Sequence, residues 1–145
     1  MYLLDTNVIS EYRKGPQANA GIVAFFDKTP NDVLFLPAQV IGEIQAGISK
    51  LRRQRSAPAE KKADAYELWL DHLVTEYGDH VLEFDTGAAR VWGALLSSEK
   101  RDPHATDKQI AALALVHSLV VVTRDAGEAF KKSPNLRVLN PFLNS

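Results

Sequence analysis

Leu119-Val120-Val121-Val122-Thr123-Arg124-Asp125 reads as a central strand of a parallel sheet that ends by delivering an aspartate to the sheet's carboxyl edge. A strand buried on both faces needs a near-continuous run of Val and Leu, whereas a strand with one wet face alternates apolar and polar residues. Working outward, shorter β-branched or aliphatic runs occupy residues 2–4, 33–36, 81–84 and 137–139. Longer stretches of helical period separate them. The resulting order, β-α-α-β-α-α-β-α-α-β-α-β, predicts an α/β fold with a mainly parallel sheet covered by helices.

Two of those helices are explicit in the spacing. Tyr66, Trp69, Leu70, Leu73, Val74 and Tyr77 fall on one amphipathic face. Ala88, Val91, Trp92, Leu95 and Leu96 form a second stripe, opening after Asp85 as N-cap. Both tryptophans belong to these stripes, which assigns them to the core or to helix interfaces rather than to base stacking. Residues 54–59, with Ser56 and Pro58, read as a loop between helices.

The chain has 145 residues, 46% of them hydrophobic, which is enough for one domain spanning residues 1–145 with a core that needs no staples. The absence of cysteine excludes disulfide frameworks and Cys-based metal or cluster sites. No apolar run approaches the roughly 20 residues needed to span a bilayer. The opening Met-Tyr-Leu-Leu-Asp lacks the basic region of a secretory signal, so a cytoplasmic protein is expected. A net charge of -1 argues against a protein that coats nucleic acid by bulk electrostatics.

In a parallel α/β sheet, ligands bind outside the carboxyl ends of the strands, near the reversal of strand order. Asp5-Thr6-Asn7 follows the first strand and Thr123-Arg124-Asp125 closes the fourth, placing two aspartates at one edge. Two further acids stand on helices: Glu43, within Val40-Ile41-Gly42-Glu43-Ile44-Gln45-Ala46-Gly47, and Asp107, which opens Asp107-Lys108-Gln109-Ile110-Ala111-Ala112. At about 100° per residue, Val40, Ile41, Ile44, Ile48 and Leu51 face the core and Glu43 sits at the rim of that stripe. A carboxylate there must be solvated, paired or metal-bound, since an unpaired buried charge is very costly. Acids gathered at one edge raise each other's pKa unless a cation neutralises them. Oxygen-only donor sets suit Mg²⁺ or Mn²⁺.

Structural roles compete with that reading at each acid. Thr106-x-x-Gln109 and Asp125-x-x-Glu128 fit the helix-capping pattern, leaving Asp107 as a dipole-favouring acid and Asp125 as a cap. Asp5 could simply form a turn, and Glu43 could be a half-exposed helix residue. The basic cluster Lys50, Arg52, Arg53, Arg55, Lys61 and Lys62 could hold RNA, with Arg124 beside the acids, or could merely complement a helix dipole. His72, His80, His104 and His117 show no paired ligand spacing, and His104 alone lies near an acid, three residues before Asp107.

Taken together, the sequence resembles the PIN-domain ribonucleases, in particular VapC-type toxins of bacterial toxin–antitoxin pairs in their FitB-like branch. The likeness covers nearly the whole chain. It is carried by the opening Leu3-Leu4-Asp5-Thr6-Asn7-Val8-Ile9-Ser10-Glu11, Glu43 with Gly47, Asp107 with Ile110-Ala111-Ala112, Thr123-Arg124-Asp125, and the closing Leu139-Asn140-Pro141-Phe142. It implies a three-layer α/β/α domain in which Asp5, Glu43, Asp107 and Asp125 surround Mg²⁺ or Mn²⁺, with Thr6 or Asn7 and Thr123 as polar helpers. It implies an endoribonuclease in which metal-activated water attacks phosphorus in line with the leaving oxygen, so that no side-chain nucleophile is needed. It also implies a cognate antitoxin and a homodimer, within a larger toxin–antitoxin assembly and with no membrane. One departure is Pro37-Ala38 at the start of the Glu43 helix, where relatives often carry Ser or Thr.

Rival readings find less in the residues. A haloacid-dehalogenase-like phosphatase wants Asp-x-Asp after the first strand, and Asp5-Thr6-Asn7 stands there. A receiver domain wants a lysine after its fifth strand, where this chain has Asn140-Pro141. Dinucleotide and P-loop glycine spacings are absent. A non-catalytic binding module, its acids kept for structure or for a partner, is the rival from another class.

Overall fold

The computed structural model describes residues 1–96, 101–125, 130 and 133–143. Strands β1 (Tyr2–Leu4), β2 (Leu34–Pro37), β3 (Val81–Leu82), β4 (Val120–Val122) and β5 (Val138–Leu139) pair in parallel in the spatial order β3-β2-β1-β4-β5. The chain therefore builds outward from β1 on one side and returns to build on the other, so the topological switch lies between β1 and β4. Leu3 pairs with Val121 and Leu4 with Val122. The ladder continues one step further, with Asp5 N donating to Val122 O at 3.0 Å. The chain ends leaving β1 and β4 are thus held level, side by side.

Strand alternation divides the core into two. Leu4 and Val122 point to a face covered by α1 (Thr6–Tyr12), α2 (Ala20–Lys28), α3 (Ala38–Arg53) and α4 (Ala57–Tyr77). Leu3 and Val121 point to the opposite face, covered by α5 (Thr86–Leu95) and α6 (Ala105–His117). The architecture is a three-layer α/β/α sandwich, as the sequence implies. Because β4 is buried on both faces, Val121 and Val122 are fully inaccessible, which is why the sequence there does not alternate. The closing segment is tied across α2: Asn19 donates from Nδ2 to Leu143 O at 2.7 Å and accepts from Leu143 N at 2.9 Å. Gly21 permits that approach, because a Cβ there would lie 2.0 Å from the Pro141 carbonyl oxygen.

Several boundaries differ from the sequence reading, each for a local reason. Helix α4 begins at Ala57, inside the expected loop. Ser56 Oγ accepts from Ala59 N at 3.2 Å, and Pro58 lies in the first turn, where its missing N–H leaves no bond unmade. Pro37 ends β2 and caps α3 from outside the helix, with no side-chain cap bond. Val33 closes a 3-10 turn before β2, and β3 stops at Leu82, short of Phe84. Leu96 is the C-cap of α5, one residue past its end. The Asp85 cap is present, accepting from Ala88 N at 2.9 Å. The expected helix between β4 and β5 falls largely on residues 126–129 and 131–132, outside the described residues.

Candidate metal centre

Asp5 is the N-cap of α1, and its side chain is fixed at both oxygens. Oδ1 accepts from Thr6 N at 2.8 Å and Oδ2 accepts from Thr123 Oγ1 at 2.9 Å. It is only 8% exposed. Thr123, fully buried just past β4, is the hub of this end of the sheet. Besides donating to Asp5, its hydroxyl accepts from Asn7 Nδ2 and from Asp125 N, both at 3.1 Å. Asn7 completes the link by accepting from Arg124 N at 3.0 Å through Oδ1. One threonine and one asparagine thus lock the segments that follow β1 and β4 into a single rigid edge, the use of buried polar groups that is stabilising because every member is satisfied.

Glu43 reaches this edge from α3 and accepts from Thr6 Oγ1 at 2.5 Å. Asp107 arrives from the first turn of α6, on the opposite face of the sheet. Asp5, Glu43, Asp107 and Asp125 all line one open cavity of about 320 Å³, together with Thr6, Asn7 and Phe130. The electrostatics follow from that convergence. Burial pushes the Asp5 carboxyl above its ordinary range against the opposing hydrogen bonds from Thr123 and Thr6, and Asp125 adds repulsion. Glu43 is exposed as a residue, yet the protein around its carboxylate desolvates it and raises its pKa, opposed by Thr6 and reinforced by Asp5 and Asp107. Asp107 is raised by desolvation, then by Asp5 and Asp125, with His104 opposing.

The donor set is carboxylate, hydroxyl and amide oxygen, which matches a hard divalent cation. Among the described residues, no three acidic or histidine side chains stand close enough together to hold a metal ion by themselves. Mg²⁺ keeps several of its waters and binds through one or two carboxylates, so it does not require such a group. The residues present therefore fit such an ion in an open site, and the mutual repulsion of the acids is the energy a cation would relieve.

The structure thus brings together all six residues singled out from the sequence: Asp5, Asn7, Glu43, Asp107, Thr123 and Asp125. The structural alternative for Asp107 survives in part: it lies in the first turn of α6, where a carboxylate favours the helix dipole, but the Thr106 cap is absent. Helix α6 starts at Ala105 with His104 as N-cap, so Thr106 is inside the helix and caps nothing. His104 is held there by its own N–H, which donates to Asp102 Oδ1 at 2.9 Å, while Asp102 also receives Lys108 Nζ at 2.5 Å. The Asp125-x-x-Glu128 alternative involves Glu128, which lies outside the described residues. Two contributors escaped the sequence reading. Phe130 walls the cavity, and Gln39 Nε2 donates to Gln109 Oε1 at 3.3 Å, tying α3 to α6 beside the two helical acids. Gln39 lies four residues before Glu43 and Gln109 two after Asp107, but nothing in that spacing signals a bond between distant helices.

The basic cluster divides. Arg52 donates to Glu60 at 2.8 Å, to Asp64 at 3.0 Å and to Glu67, all on α4, so its charge braces two helices. Arg124 leans 3.5 Å from Glu11 and stacks 4.1 Å from the Phe142 ring. His80 Nδ1 donates to Leu34 O at 2.8 Å and the ring stacks on Phe35, a core-edge role.

Comparison with known proteins places the fold in a family. Toxin FitB of Neisseria gonorrhoeae is 33% identical over 145 residues, spanning 98% of this chain and 99% of that protein. The VapC ribonuclease Y4jK of Sinorhizobium fredii is 29% identical over 146 residues, spanning 98% of each. The crystal structure of FitAcB from Neisseria gonorrhoeae superposes with a TM-score of 0.77 at 30% identity, covering 97% of this chain and 98% of that one. The PIN domain family model matches residues 2–134, and with the acidic edge of the sheet assembled as described, the chain belongs to the PIN-domain family.

Proposed function

We propose that this chain, as one unit over residues 1–145, is the toxin of a toxin–antitoxin pair and acts as a divalent-metal-dependent endoribonuclease. The observation that carries the reading is the meeting of Asp5, Glu43, Asp107 and Asp125, from four separate segments, in one cavity at the topological switch. A structural module would have little reason to hold three carboxylates above their ordinary pKa in one place. Relatives that share nearly the full length are named as a toxin and as a ribonuclease.

Asp5, Asp107, Glu43 and Asp125 are the residues proposed to hold Mg²⁺ or Mn²⁺. When bound, such an ion lowers the pKa of water and offsets the negative charge of a phosphodiester, so that hydrolysis proceeds without a protein nucleophile. The chain's own contribution is orientation. Thr123 and the Thr6 N–H hold both Asp5 oxygens in fixed directions, and the Thr6 hydroxyl holds Glu43. Asn7 fixes Thr123 and the Arg124 backbone, so Asp125 leaves the sheet at a set angle. The partners of this reading are RNA as substrate, a cognate antitoxin and a second copy of the chain within a larger assembly, with the cytoplasm as the compartment. No described helix is long and apolar enough to cross a membrane.

The test is cleavage of total cellular RNA by the purified chain and by Asp5→Asn, each with Mg²⁺, Mn²⁺ or EDTA. Metal-dependent cutting by the wild type alone is the expected result. Absence of cutting in either metal by folded, partner-free protein would favour the binding-module reading.

A further inference from the structure

A second cavity, of about 460 Å³, opens beside the acid cavity and shares two walls with it, Thr6 and Glu43. Its size lies within the roughly 300–1,000 Å³ typical of ligand pockets. Away from the acids it is walled by Arg13 at the end of α1 and by Lys62, Tyr66 and Trp69 on α4. The Arg13 guanidinium carbon stands 4.0 Å from the Tyr66 ring centroid and 5.5 Å from that of Trp69, and Lys62 Nζ stands 5.8 Å from Tyr66. The two rings meet edge to face at 6.3 Å. They rest against the larger core cluster on one side and border the cavity on the other.

The cations here differ from Arg52. Among the described residues neither Arg13 nor Lys62 has a carboxylate within ion-pair distance, whereas Arg52 has three. Exposed cations gathered on aromatic rings, without internal counter-charges, complement a ligand that is both planar and anionic. A phosphodiester chain being cut at the acid cavity must extend beyond it, and Thr6 and Glu43 form the shared threshold. Bases of single-stranded RNA stack on aromatic rings and on arginine planes, while phosphates attract lysine.

We propose that this groove seats the nucleotide next to the scissile position, its base stacked against Arg13, Tyr66 and Trp69 and its phosphate facing Lys62. The assignment rests on the ribonuclease reading above. It makes these residues binding determinants of the RNA, with no part in the bond-breaking step.

The experiment measures fluorescence anisotropy of a short labelled single-stranded RNA with the full chain in EDTA, which prevents cleavage. Arg13→Gln, Lys62→Gln and Trp69→Leu are compared with wild type, with Tm recorded for each. Arg13→Gln and Trp69→Leu should weaken binding about tenfold. Lys62→Gln should lower the slope of log affinity against log salt by about 0.7. Arg13 and Lys62 are exposed, so their variants remain informative if Trp69→Leu fails to fold. In parallel, metal-dependent hydrolysis of bis(4-nitrophenyl) phosphate, too small to reach the groove, should be unchanged in all three. Absence of that hydrolysis in wild type would strike the ribonuclease reading, while the groove stands or falls on RNA affinity. Equal affinity of wild type, Arg13→Gln and Lys62→Gln overturns the proposal. So does unchanged RNA affinity accompanied by loss of a co-purifying protein, which would assign the groove to a protein partner.

Discussion

Helix α3 carries two charged clusters built on opposite principles. Toward its N-terminal half, Glu43 joins Asp5, Asp107 and Asp125 around one cavity, and no described Lys or Arg forms an ion pair with Asp5, Glu43 or Asp107. In its last turn, Arg52 is surrounded by Glu60, Asp64 and Glu67, which hold its guanidinium charged even more firmly than usual. The first cluster repels itself and, on the proposed function, calls for a cation from outside; the second is complete as it stands. Charge balance, more than charge density, separates a site from a brace. Four predictions test that contrast.

The largest effect belongs to Asp5→Asn. Removing one charge from the acid cluster should reduce metal-dependent RNA cleavage by more than about a hundredfold, beyond what loss of a supporting residue costs. The amide oxygen can keep the bond from the Thr6 N–H, while the Thr123 hydroxyl loses its acceptor at the other position, so stability should fall by about 1 kcal/mol and the fold should survive, as circular dichroism would report. Cleavage within a few fold of wild type would place the chemistry elsewhere.

Thr123→Val comes next, because it keeps the shape of a fully buried side chain while deleting the hydroxyl that serves Asp5, Asn7 and Asp125. Stranding those partners should lower stability by about 2 kcal/mol in urea unfolding. Cleavage should fall about 10- to 100-fold, as for the outer support of a metal ligand. Wild-type stability and rate together would show that the acid cluster needs no such frame.

The third prediction concerns the sign of a pH effect. Asp5, Glu43 and Asp107 keep their protons to higher pH when folded than when unfolded. Between the ordinary and the raised values the folded state therefore binds more protons, and stability falls as pH rises through that window. In EDTA, Asp107→Asn should be more stable than wild type at neutral pH, and the difference should shrink as the pH falls through the window. Saturating Mg²⁺ or Mn²⁺ should restore the wild type by binding only the folded site. A wild type that outlasts Asp107→Asn at neutral pH without metal would mean that the carboxylates are not in repulsion.

The two clusters were unequally legible in the sequence. Asp5, Thr123 and Asp125 could be placed because strand order fixes where residues after β1 and β4 must emerge, a consequence of topology. Helical phase put Glu43 at the rim of the core stripe, whereas the membership of Glu43 and Asp107 in one acidic group came from the family resemblance. Arg52 could not be placed, since its meeting with Glu60, Asp64 and Glu67 depends on how α3 and α4 cross, and a run of basic residues at a helix end fits dipole, brace and RNA surface equally. The same limit applied to Trp69. Its stripe correctly put it against the core, but periodicity says nothing about the ring edge left facing a groove. The start of α4 at Ala57 was missed for a smaller reason: Ser56 and Pro58 are loop residues in composition and an N-cap and first-turn residue in fact.

The smallest expected effect is the one that could break the contrast outright. Arg52→Met keeps the aliphatic stem that lies between α3 and α4 and removes only the charge, leaving Glu60, Asp64 and Glu67 to face one another. Because these groups are solvent-exposed, the loss should be a few degrees of Tm at low ionic strength, shrinking as salt screens both the lost attraction and the new repulsion. RNA cleavage and RNA affinity should stay at the wild-type level, since a cation already engaged by three carboxylates has little left to offer a phosphate. If Arg52→Met instead weakened RNA binding and left Tm unchanged, the ion pairs would be incidental to the fold. The basic end of α3 would then be a nucleic-acid surface, continuous with Lys62 and the groove beside the acids.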